Sequence, residues 1–194
     1  MASRPFSPGD ITADEHADER AGDGRLHRYR LIVLAGGVGD VVGSAGGFLC
    51  DRARAGWDVS VHLTGGVDAR ALAILGITAA EPDADPGAVI RRCPRGAVLA
   101  VDAGLLARDA AIREDVSRMV VQGLTEVTVW GRPELGELGQ GLEPATQPLS
   151  AAARAFKAQA LLATGLAAKN TGTVAPDEML YRLRGRPARL LRSV

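Results

Sequence analysis

Apolar residues gather into short runs separated by segments in which apolar positions recur every three to four residues, the pattern of strands alternating with amphipathic helices. Five runs read as strands: Arg30 to Ala35, Val59 to Leu63, Ile77 to Ala80, Ala97 to Val101 and Glu126 to Trp130. Helices are expected between them over Val41–Ala55, Asp68–Leu75, Pro86–Arg92 and Asp109–Gln122, with Gly56 and Gly123 suited to the left-handed residue that ends a helix. In the first helix Val42, Ala45, Leu49 and Ala53 form the apolar stripe, while Gly43, Gly46 and Gly47 interrupt it. Glycine costs on the order of 1 kcal/mol relative to alanine inside a helix, so close packing against the sheet is the expected compensation. Beyond the fifth strand, residues 131–149 carry Gly131, Pro133, Gly136, Gly139, Gly141, Pro144 and Pro148 and read as a long loop. Ser150 then caps a helix reaching about Ala168, and a last helix is expected over Asp177–Leu183.

This alternation predicts a three-layer α/β domain with a mostly parallel sheet of five strands, Rossmann-like or flavodoxin-like, followed by a helical C-terminal extension. Residues 1–24 are acidic and lack apolar periodicity, so they read as a disordered tail. Residues 25–149 form the α/β core, and residues 150–194 the helical extension with a basic end. A length of 194 residues suits one ordinary domain. Basic and acidic residues number 23 each, so no overall field recruits nucleic acid or a membrane. Two cysteines, Cys50 and Cys93, make neither a disulfide framework nor a metal pair, and both read as packing residues. No basic-then-apolar leader and no long apolar span is visible, and a cytoplasmic protein is the expectation.

The densest chemical signal is Leu31-Ile-Val-Leu-Ala-Gly-Gly-Val-Gly-Asp-Val-Val-Gly, a strand breaking into a glycine-rich turn and a helix. It resembles a dinucleotide-binding fingerprint. Gly37 and Gly39 match the first two glycines, Val42 stands at the third position and Gly43 follows one residue later. Asp40 is expected to cap the helix, and the second strand ends in Leu63-Thr64-Gly65-Gly66 without the acid that binds a ribose; Asp58 precedes that strand. Gly36, Gly37, Gly39, Thr64, Gly65, Asp102 and Arg132 are the candidate ligand contacts, because each stands at a strand's carboxyl end, where α/β proteins place ligand crevices. Trp130 beside Arg132 offers an aromatic face next to a fixed charge. His16, His27 and His62 have no catalytic placement, Asp102 also suits a helix cap, and neither a catalytic set nor a metal set is visible.

The leading expectation is a protein with a regulatory or accessory role that binds a nucleotide-like or other small anion. The alternatives are an NAD(P)- or flavin-dependent enzyme, whose cofactor carries the chemistry, and an interaction module or homo-oligomer using Phe156, Leu162 and Leu166. The segment Arg184-Gly185-Arg186-Pro187 resembles an AT-hook core, which implies minor-groove contact, but zero net charge and a single copy weigh against DNA binding.

Overall fold

The computed structural model describes residues 29–66, 69–81, 85–123, 125–131, 141–165 and 174–184. Seven strands form one sheet in the order β3-β2-β1-β4-β5-β7-β6. These are β1 (Arg30–Ala35), β2 (Asp58–Leu63), β3 (Thr78–Ala79), β4 (Val98–Asp102), β5 (Glu126–Trp130), β6 (Leu142–Pro148) and β7 (Asp177–Leu183). The first five run parallel, and β7 lies antiparallel between β5 and β6. The described helices are α1 (Val38–Arg54), α2 (Ala69–Ile74), α3 (Pro86–Arg91), α4 (Ala103–Arg108), α5 (Ala110–Gln122) and α6 (Ala151–Ala163).

Strand alternation sorts the core into two layers. Leu31, Val33, Val59, Val61, Ala100 and Trp130 face α1, α2 and α6, whereas Leu34, Leu99, Val101, Val127 and Val129 face α3, α4 and α5. The α/β class with a mostly parallel sheet is thus present, with two strands more than expected. Residues 142–148 pair as an edge strand instead of remaining loop, and its prolines Pro144 and Pro148 are tolerated at that edge. Residues 177–183 are a strand, not a helix: their burial alternates at Glu178 and Leu180, and both neighbours offer backbone partners. The C-terminal segment therefore completes the sheet, and α6 packs on α1 and α2.

Helix α1 begins three residues earlier than the expected start at Val41. Gly37 is its N-cap and supplies no side-chain bond, so Asp40 lies inside the first turn and does not cap it. Its glycines do not serve contact with the sheet. A Cβ on Gly47 would strike the Leu149 methyls, and one on Gly46 would lie 3.4 Å from Leu75. Between them the buried pair Lys157–Glu178 enters the helix. Glu178 accepts from the amides of Gly47 at 2.9 Å and Phe48 at 2.8 Å, while Lys157 Nζ donates to Glu178 at 2.6 Å and to the Gly43 carbonyl at 2.8 Å. The Gly47 amide and the Gly43 carbonyl belong to one rung of an α-helix, and the ion pair engages both halves of it. An anion thus meets helical amides and a cation meets a carbonyl one turn earlier, the polarity that helix termini favour.

Candidate functional site

The chain leaves β1 towards one face of the sheet and β4 towards the other, and at such a divergence of carboxyl strand ends α/β proteins form ligand crevices. Gly36 follows β1, and Asp102 ends β4. The Asp102 carboxylate is buried and caps α4, accepting from the Gly104 amide at 3.0 Å and the Leu105 amide at 3.2 Å. From the last turn of α4, Arg108 returns to this carboxylate at 4.0 Å and lies over Gly36. A Cβ on Gly36 would sit 2.6 Å from Arg108 Nη2. A Cβ on Gly65, after β2, would sit 2.6 Å from the Gly36 carbonyl oxygen. Glycine is required at Gly65, where the close neighbour is backbone, whereas a side chain at Gly36 would displace the flexible end of Arg108.

The structure therefore brings Gly36, Gly65 and Asp102 together. Gly37 adjoins them as the cap of α1, and Gly39 lies in its first turn. Thr64 is tied to the end of β1, its amide and its hydroxyl donating to the Ala35 carbonyl at 3.0 and 3.4 Å. Arg132 lies outside the described residues, as do Leu166 and residues 185–187 of the Arg-Gly-Arg-Pro segment. Trp130 is fully buried on the α1 side, so it offers no exposed stacking face, and its indole nitrogen has no hydrogen-bond partner among the described residues. Asp58 stands at the opposite end of β2, 3.4 Å from Arg30, and is not positioned to bind a ribose at the strand's carboxyl end. Phe156 and Leu162 are exposed on α6, and Phe156 lies beneath the Arg54 guanidinium.

The sequence pattern predicts a helix only from Asp109 and so leaves Arg108 unassigned. The signal was present: Asp102 is a good cap, and Ala103-Gly-Leu-Leu-Ala-Arg108 is a two-turn helix once that cap is accepted. Asp109 caps α5 in turn, accepting from the amides of Ala111 and Ile112.

Among the described residues no three His, Cys, Asp or Glu side chains gather as a metal site. At the crevice the carboxylates are Asp40, exposed in the first turn of α1, and Asp102, engaged by α4. His62 lies on β2 on the other sheet face, lining a cavity of about 330 Å³ with Ile32 and Val89. Both cysteines are single: burial pushes the Cys50 thiol up, with the Asp51 charge adding to it, and burial also raises Cys93. No described helix is long and apolar enough to cross a membrane.

No family model matches the chain, and no curated protein matches it. Solved structures do. The A40926 pseudoaglycone deacetylase Dbv21 is 16% identical with a TM-score of 0.58, covering 84% of this chain and 100% of its own. A deacetylase–teicoplanin complex is 14% identical with a TM-score of 0.56, covering 80% and 98%. The zinc-inhibited form of teicoplanin deacetylase Orf2 gives 14% and 0.55, covering 82% and 100%. What this chain shares with these deacetylases is their α/β fold.

Proposed function

We propose that this protein binds a small anionic ligand in the crevice between the first turn of α1 and Arg108. The observation that carries this reading is the contact of Arg108 with Gly36. It places a guanidinium beside a helix N-terminus whose Gly37 cap leaves the first-turn amides to an outside acceptor. Backbone amides, the positive end of a helix and a guanidinium fork all favour a carboxylate or phosphate group. The parallel order β3-β2-β1-β4-β5 supports the Rossmann-like alternative over the flavodoxin-like one, and it puts this crevice at the reversal of strand order. Titration with AMP and with inorganic phosphate tests the reading. Either one should raise thermal stability, by about 2.7 kcal/mol at a hundredfold excess over Kd. Arg108→Ala should weaken the affinity about tenfold, which about halves this stabilisation at the same anion concentration, and absence of any response to either anion overturns the proposal.

A second reading, hydrolytic deacetylation, is favoured by a fold shared with deacetylases over 98–100% of their chains. The described residues do not assemble a zinc site at the crevice, since Asp102 is committed to α4 and no histidine stands there. Release of acetate from an acetylated amine or from p-nitrophenyl acetate, lost in Arg108→Ala, would favour this reading; no release from either removes it.

A further inference from the structure

The sheet face opposite α1 is unevenly covered. Helix α5, thirteen residues long, lies on the side of β4 and β5, but α3 has six residues and β3 has two. Over β1 and β2 this leaves the cavity of about 330 Å³. Strand alternation fixes its floor, Arg30 and Ile32 from β1 with Asp58, Ser60 and His62 from β2, while Val89, Arg92 and Pro94 form its wall. None of these residues belongs to the crevice described above.

The lining has a definite chemical bias. Among the described residues, two guanidinium groups, a hydroxyl and an imidazole line it beside one carboxylate, which Arg30 engages at 3.4 Å. Arg92 donates through Nε to the Ala88 carbonyl at 3.3 Å, which sets the orientation of its guanidinium. Ile32, Val89 and Pro94 add apolar surface beside these charges. The volume lies at the lower end of small-molecule sites, roughly 300 to 1,000 Å³. A guanidinium fork matches two oxygens of one acid group, whether carboxylate or phosphate.

We propose that this cavity is a second binding site, for a small organic acid whose carboxylate or phosphate meets Arg92 and Arg30 and whose compact apolar body rests on Ile32, Val89 and Pro94. Ser60 and His62 supply further hydrogen bonds to the acid group. The proposal does not depend on the strand-end crevice.

Calorimetric titration of the full chain and of its Arg108→Ala variant, in which the strand-end crevice is weakened, with benzoate and with phenyl phosphate tests it, with acetate and inorganic phosphate as anions lacking the body. At least one aryl probe should bind about tenfold more tightly than its bare anion, and the preferred probe distinguishes a carboxylate ligand from a phosphate one. Arg92→Ala, at an exposed position, should weaken that binding about tenfold, and Ser60→Leu should block it by filling the floor. Arg108→Ala should leave it unchanged. Histidine side-chain NMR should show His62 shifting with the same saturation curve. Failure of both aryl probes to bind, equal affinity for the bare anions, or loss of binding in Arg108→Ala with retention in Arg92→Ala overturns the proposal.

Discussion

Gly43 and Gly47 lie one turn apart in α1 and answer to opposite constraints. Nothing stands within 4 Å of a Cβ at Gly43, so Gly43→Ala should stabilise the protein by about 0.5–1 kcal/mol through helix propensity. At Gly47 the same change meets Leu149, and overpacking should cost about 1–3 kcal/mol in urea unfolding, less in a Leu149→Ala background where the methyls are gone. Asp102 is tested by contrast: Asp102→Ala removes the cap of α4 and should cost about 1 kcal/mol, whereas Asp102→Asn keeps an oxygen for the amides and should recover most of it. Asp40→Asn removes a negative charge from the first turn of α1 and should tighten anion binding at the crevice. Because burial raises the Cys50 thiol, its neutral form is favoured in the fold. That contribution is full below the ordinary thiol pKa and is lost as pH rises through the raised value, so Cys50→Ala should flatten the alkaline arm of the stability curve.

At the scale of elements, α1 depends on two partners that come far later in the chain. Lys157 of α6 and Glu178 of β7 are both buried, and removing one leaves the other charged and unpaired. Lys157→Met and Glu178→Ala should each cost about 3–5 kcal/mol, and the double variant should lose less than the sum in a double-mutant cycle. This dependence explains where sequence reading stopped. The five parallel strands were legible because each is a short apolar run, and the ends of β1 and β5 were read as observed. Strand β7 was not: Asp-Glu-Met-Leu suits a helix by composition, and only pairing on both edges imposes the extended form. The glycines of α1 were visible, but their partners Leu149 and Glu178 share no local pattern with them. Gly36, Gly65 and Asp102 were readable as strand-end residues, while Arg108 required α4, a helix too short to show a period.

Across the whole molecule, one sheet separates two cores, and the strand-end crevice and the cavity over β1 and β2 occupy different parts of it. Deleting residues 174–194 should remove β7, deprive β6 of its sheet neighbour among the described residues and take Glu178 from α1 at once, and size-exclusion chromatography should then show aggregation instead of a compact species. The insertion of β7 between β5 and β6 has a further consequence during synthesis. The bond from Gly47 to Glu178 spans 131 residues, so a ribosome has made nearly all the described chain before α1 receives its buried carboxylate. Until then the nascent chain holds β5 as an open edge and β6 without a partner. Such vectorial emergence favours a slow, late closing step and a period of exposure in which chaperone binding competes with self-association.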